Sequence, residues 1–188
     1  METFGSARRL KRNPGFERQR EAARRVLDLS SIDAPSRDLV RALNRLPHCF
    51  TIQSCHGHFL WSACGDPLNL EVLPPADPGG LITYRIAYLA ICLDTGSAGR
   101  ALLRDLESVA QVAPGYVQLG SADWFWELQV NSYVLQVEPE RFRQMDQAPL
   151  AYDEALRVQE ARADFFQALG GLVTRAHEDG GTRRSGHQ

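Results

Sequence analysis

Between Leu81 and Asp94 the chain reads LITYRIAYLAICLD, an almost unbroken apolar run with one internal arginine and a terminal aspartate. It is rich in β-branched and aromatic residues and falls short of the ~20 residues that a membrane-crossing helix needs. Such a run predicts a long strand, covered on both faces, at the centre of a sheet. The rest of the chain must then supply strands for its edges and helices for its faces.

The flanking segments can do so. SAGRALLRDLESVAQV predicts a helix with Ser97 as cap and Ala98, Leu102, Leu106, Val109 and Ala110 on one face. GYVQLGS predicts a strand. WFWELQVNSYVLQVEP alternates through Trp126, Leu128 and Val130 and again through Tyr133, Leu135 and Val137, which predicts a hairpin about Asn131-Ser132. Pro139 opens a short helical stretch, and YDEALRVQEARADFFQALGG predicts a longer helix closed by Gly170 and Gly171. Upstream, an amphipathic helix is expected from Pro14 to Leu29. A second follows, capped by Ser36, favoured by Asp38 in its first turn and ended by Pro47. A strand is expected over 48–53, and residues 62–80 predict a long loop with one edge strand at 69–73. The expected whole is an α+β chain with a mixed β-sheet flanked by helices. It divides into a flexible basic arm (1–13), a single domain (14–177) and a disordered tail (178–188).

Hydrophobic residues make up 44% of the chain and charged ones 23%, enough for a sizeable core and against disorder throughout. The N-terminus lacks the apolar centre of a secretory signal, so the expected location is the cytoplasm, with no membrane. In that compartment Cys49, Cys55, Cys64 and Cys92 are thiols or ligands rather than a disulfide framework. The first 25 residues hold eight Lys/Arg against Glu2, Glu17 and Glu21, a net +5, leaving −7 for the remainder. A basic arm on an acidic body can track phosphates; it can equally be a solvated helix face.

CFTIQSCHGHF, residues 49–59, concentrates the reactive side chains. His48, Cys49, Cys55, His56, His58 and Cys64 could supply zinc ligands, but the paired Cys-x-x-Cys or His-x-x-x-His spacing is absent. Cys55 could be a nucleophile if a turn at Gly57 brought His56 or His58 against it. A third possibility is a polar binding loop in which Thr51, Ser54, the backbone at Gly57 and two imidazoles present donors to an anion.

The stretch GFERQREAARRVLDLSSIDAPSRDLVRALNRLPHCFTIQSCHGHF resembles the N-terminal region of the wybutosine-synthesising tRNA methyltransferases, the third enzyme group of that pathway. Ser31-Ile32-Asp33 matches the family's S-x-D-like turn and Leu43-Asn44 its helix end. Thr51, Ser54, Cys55 and Gly57 match its strand-end motif, while Gln53, His56 and His58 replace two of its serines and its arginine. The resemblance implies an α+β fold that is not a Rossmann-type methyltransferase sheet. It further implies S-adenosylmethionine as cofactor and methyl transfer to a tricyclic guanine derivative in phenylalanine tRNA; no metal is expected. On this reading His56 or His58 is the catalytic base and Asp33 orients it. Thr51, Ser54, Cys55 and Gly57 line the substrate or cofactor pocket, and the basic arm meets tRNA. A ligand- or RNA-binding domain without chemistry, and a metal-dependent hydrolase built on the Cys/His cluster, are the other readings.

Overall fold

The computed structural model describes residues 4–182. In chain order the elements are β1 (Phe4–Ser6), α1 (Phe16–Val26), α2 (Arg37–Arg45), β2 (Cys49–Cys55), β3 (His58–Leu60), β4 (Ile82–Arg85), β5 (Ala87–Leu93), α3 (Ser97–Val109), β6 (Val117–Ala122), α4 (Asp123–Leu128), β7 (Ser132–Val137), β8 (Gln147–Leu150) and α5 (Tyr152–Thr182). They form one α+β domain with no Rossmann-type parallel sheet. The strands divide into a five-stranded sheet, ordered β1-β6-β7-β5-β2, and a three-stranded sheet, β3-β4-β8. Pairing is antiparallel in both.

The apolar run at 81–94 is two strands, not one. β4 lies in the small sheet and β5 in the large one, with Ile86 as the break. There the Ile86 N–H donates to the Asp146 carbonyl at 3.3 Å, and the Tyr84 hydroxyl accepts from the Ala87 N–H at 2.9 Å. Both halves are covered, so both are apolar, and hydrophobicity carries no mark of the joint. The partner strand breaks at the same level: β2 ends at Cys55, Gly57 turns with φ of 86°, and β3 begins at His58. A single antiparallel ribbon is therefore folded at a corner, with Cys55 opposite Tyr88 on one side and His58 opposite Arg85 on the other. A Cβ at Gly57 would lie 2.9 Å from both the Ala87 Cβ and the Tyr84 hydroxyl, so the corner requires glycine twice over.

One face of the large sheet carries the main core. Leu89, Ile91, Tyr133 and Leu135 pack there against Leu43 of α2, Leu102 and Leu106 of α3, and Phe165 and Leu169 of α5. The opposite face carries Phe4, Ala90, Ala122, Phe125 and Val134, and α1 covers one end of it through Phe16 on Phe50 and Cys92.

Several expectations are corrected. WFWEL is helix α4 rather than the first arm of a hairpin. Helical geometry sends Phe125 into the Phe4 and Val134 cluster and Trp126 edge-on against Tyr133. Asn131, at φ of 66°, then turns the chain into β7. No strand forms at 69–73, where Asn69 donates to the Phe59 carbonyl and the Leu73 N–H to Gln159. The arm expected to be flexible is tied down from Phe4 onward. β1 pairs with β6, Tyr133 donates to the Arg8 carbonyl, and the Asn131 side chain bonds both backbone groups of Lys11. α5 runs through Gly170-Gly171, because the buried Leu169, Leu172 and Val173 around them outweigh the roughly 1 kcal/mol that each helical glycine costs. The tail expected from 178 thus starts within this helix, and its remainder lies outside the described residues. Among the described residues no helix is long and apolar enough to cross a membrane.

Candidate functional site

The folded corner of the ribbon gathers most of the residues the sequence singles out. Asp33 reaches it from the turn before α2, and its Oδ2 accepts a hydrogen bond from the His56 N–H at 2.7 Å. His58 points its Nε2 toward the same oxygen at 3.5 Å, while its Nδ1 lies 3.2 Å from the Asn69 carbonyl. A carbonyl can only accept, so Nδ1 carries the proton and Nε2 is the nitrogen turned toward Asp33. Cys55 completes the group: its Sγ, the His58 ring nitrogen and an Asp33 oxygen all lie within 4.8 Å of one another. His58 is 3% exposed.

Burial raises the Cys55 thiol, against a donated hydrogen bond from the Gly57 N–H, and the neighbouring Asp33 adds to the rise. Cys55 is therefore held as a thiol rather than as the nucleophilic thiolate. His56 has a different task. Its Nδ1 meets the Ser36 hydroxyl at 3.1 Å and its ring stacks on Phe166 of α5 at 4.3 Å. Burial, with help from the positive Arg162, brings its pKa down to about 4, so the ring is neutral at neutral pH. Ser36 serves this contact and makes no side-chain cap on α2.

Arg162 of α5 lies beneath the corner. It is 6% exposed, donates to the Gly57 carbonyl at 2.8 Å, and holds its guanidinium 4.9 Å over the Phe59 ring. The sequence does carry a signal for it. Arg162 interrupts the stripe Val158, Phe165 and Leu169 on the buried face of α5, where an arginine needs a specific partner. Asn69, whose carbonyl sets the His58 tautomer, lies in an irregular loop and offers no such signal.

A β-bulge decides which side chains face the ligand side. Thr51 pairs with Ile91, but Gln53 pairs with Ala90, so the register shifts between them. Gln53 and Cys55 consequently share the face of Ala90 and Tyr88. They line a cavity of about 410 Å³, within the usual range for small-ligand sites. Its other walls include Phe4, Arg85, Tyr88, Phe125, Gln136, Arg143, Met145 and Asp146. Behind Gln136 sits Glu138, fully buried, accepting a hydrogen bond from the Gln136 amide. Burial pushes its pKa up to about 8.

Thr51 and Ser54 do not join the site. Thr51 points into the core, where Asn44 of α2 donates to its hydroxyl at 2.6 Å and accepts from its N–H at 3.2 Å. Ser54 pairs with Leu89 and borders a separate cleft beside α1. Cys49 and Cys92 are buried thiols pushed up to about 12, and Cys64 donates to the Asp66 carbonyl in the loop beyond β3. The six-residue zinc cluster considered from sequence thus reduces to Cys55 and His58, joined by Asp33.

No family model matches the chain, and no curated protein matches it. Two solved structures are similar to it. PH1069 protein from Pyrococcus horikoshii shows 14% identity and a TM-score of 0.43 over 86% of this chain and 96% of that one. A hypothetical protein from Aeropyrum pernix shows 13% identity and a TM-score of 0.35 over 78% of this chain and 96% of that one.

Proposed function

We propose that the chain is a divergent relative of the wybutosine-synthesising tRNA methyltransferases, acting in the cytoplasm on a modified base of tRNA. The cavity would hold S-adenosylmethionine, and the Asp33–Cys55–His58 corner would be its reacting end. One observation carries this reading. Two of the three segments on which the resemblance rests, the Ser31-Ile32-Asp33 turn and the strand end carrying Cys55 and Gly57, are drawn together by the N–H of His56, itself a departure from the motif, bonded to Asp33 at 2.7 Å beside a cavity that Cys55 lines.

The wall chemistry fits the cofactor. Arg85 and Arg143 can meet its carboxylate, Asp146 its ammonium group, and Tyr88, Phe125 and Met145 its flat adenine. When bound, the cofactor supplies an electrophilic methyl group. The chain's own residues then have to position the acceptor base and accept its proton. His58 can take that proton on Nε2, because Nδ1 is committed to the Asn69 carbonyl, and Asp33 faces the imidazolium so formed. His56, wedged between Ser36 and Phe166, braces the corner. Arg8, Arg9, Lys11 and Arg12 are exposed along the segment after β1, Arg8 paired with Asp123 and Lys11 held by Asn131, and on this reading their charge would meet an RNA backbone.

Isothermal titration of the full chain with S-adenosylmethionine, and filter retention of tRNA across a salt series, test the reading. Cofactor affinity in the micromolar range and retention that weakens steeply with salt are expected. Absence of binding at millimolar cofactor refutes the methyl-transfer function.

A further inference from the structure

We infer that Asp33, Cys55 and His58 form a three-ligand site for a divalent zinc-type cation, with its fourth position open to the cavity. The site is independent of the methyl-transfer reading but shares its location.

Three features point to it. The first is ligand type: one thiolate, one imidazole and one carboxylate is a borderline-soft donor set suited to zinc, and three protein ligands with an open fourth position is the arrangement of catalytic zinc sites. The second is spacing. In a tetrahedron each ligand–ligand edge is about 1.6 times the bond length, so Zn–N and Zn–O bonds of about 2.0–2.1 Å put Nε2 and a carboxylate oxygen roughly 3.3–3.4 Å apart. His58 Nε2 and Asp33 Oδ2 stand at 3.5 Å. That is too long for a charge-assisted N–H···O bond, which closes to about 2.7–2.9 Å, and close to the tetrahedral edge. The three ligand atoms lie within 4.8 Å of one another, and with Nε2 and Oδ2 already at a tetrahedral edge the movement that closes the group onto an ion would fall to the half-buried Cys55 side chain.

The third feature is the surrounding support. A metal-binding histidine characteristically donates its other ring N–H to a carbonyl or carboxylate, which fixes the tautomer and aims the lone pair. His58 does this through Nδ1 to the Asn69 carbonyl, and Asn69 is itself held by its side-chain amide on the Phe59 carbonyl at 3.2 Å. The ligating carboxylate is likewise braced, by the His56 N–H. Such support is made within the chain before any ion arrives.

Binding is balanced simply. Zn²⁺ takes the Cys55 thiolate, the Asp33 carboxylate and the neutral His58 nitrogen, and the Cys55 proton leaves to solvent. The two negative ligands neutralise the ion. Of the three ligands Cys55 lines the cavity, so an occupant of the cavity would approach the ion from the Cys55 side. An acceptor base coordinated to the ion would release its proton to solvent, and His58 would then act as ligand rather than as base.

The test is cobalt substitution of the chelator-treated full-length chain, read by absorbance, with zinc stoichiometry from competition with a chromophoric chelator. One equivalent of Co²⁺ should give intense tetrahedral visible bands with a thiolate-to-cobalt charge-transfer band. Cys55→Ser should abolish the charge-transfer band, His58→Gln should weaken Zn²⁺ affinity about a hundredfold, and Cys64→Ser should change neither. Weak octahedral absorbance only, or bands that survive Cys55→Ser and vanish in Cys64→Ser, overturns the inference. Should either variant fail to fold, the wild-type charge-transfer band together with its survival in Cys64→Ser still decides the matter. S-adenosylmethionine titration of the same metal-free chain separates this inference from the function above. Cofactor binding without a cobalt spectrum defeats only the metal site, and a cobalt spectrum without cofactor binding defeats only the methyltransferase reading.

Discussion

Replacing Glu138 by glutamine should reverse its effect on stability between acid and alkaline buffer. Glu138 is 0% exposed, accepts from the Gln136 amide through Oε1, and has no partner for Oε2 among the described residues. Burial is the main reason its pKa stands at about 8 rather than 4.5, and the nearby Asp146 contributes in the same direction. An acid whose folded pKa exceeds its unfolded one stays protonated in the native state while the unfolded chain has already released its proton. Stability is therefore unaffected below pH 4.5 and falls as pH rises through the interval to about 8. At about 1.4 kcal/mol per pH unit, roughly 5 kcal/mol is the ceiling on that loss, and relaxation around the charge brings the expected figure to about 2–4 kcal/mol. Glutamine removes the titration but puts an amide N–H₂ where Oε2 lacks a partner, at a cost of about 1–2 kcal/mol at every pH. Glu138→Gln should thus be about 1–2 kcal/mol less stable than the wild type at pH 5 and about 1–2 kcal/mol more stable at pH 9. Urea unfolding of both chains at each pH unit from 5 to 9 reads this directly as two curves that cross. Curves that stay parallel across the range would refute the argument, because Glu138 would then be ionised in both states or buried in neither.

Other perturbations probe the corner. Gly57→Ala demands a left-handed backbone for alanine and pushes its Cβ to 2.9 Å from Ala87 and Tyr84, so a loss of about 2–4 kcal/mol is expected in urea unfolding; a loss below 0.5 kcal/mol would mean the fold at this corner is not tight. Arg162→Met leaves the Gly57 carbonyl without its charged donor, and a cost of about 2–4 kcal/mol is expected from the same measurement. Thr51→Val should cost about 1–2 kcal/mol through the lost Asn44 bond yet leave ligand affinity unchanged; a tenfold fall in affinity would return Thr51 to the binding site. Phe166→Ala should release the His56 ring and raise its pKa toward the ordinary 6.5, visible by proton NMR titration, with an unmoved pKa counting against the stacking account.

Part of the site was legible in the residues because it is local. Cys55, His56, Gly57 and His58 occupy four consecutive positions, and a glycine between two histidines at the end of an apolar strand announces a turn with reactive flanks. The Asp33 turn was legible through the resemblance. Its contact with the His56 N–H was not, because 23 residues and a helix separate the two. Thr51 and Ser54 stand out in the sequence for their hydroxyls and through the resemblance, neither of which shows the face a strand residue takes. The bulge between Thr51 and Gln53 decides it, setting Thr51 and Ser54 beside Ile91 and Leu89 and turning Gln53 and Cys55 to the cavity face. Trp126 and Leu128, with Val130 just beyond, mimicked strand alternation across a helix too short for its own period to show.

By itself the sequence determines the α+β class, the main helices α1, α2, α3 and α5, and the identity of the reactive cluster. These follow from periodicity, turn chemistry and composition, all of them short-range. The tertiary structure alone decides that the apolar run at 81–94 bends into two sheets, that β2 and β3 bend with it, and that Arg162 closes the corner from below. Hydrophobicity records only that a segment is covered. Which element covers it, and therefore where a strand may break to open a cavity beside Asp33, Cys55 and His58, is settled by packing between segments far apart in the chain.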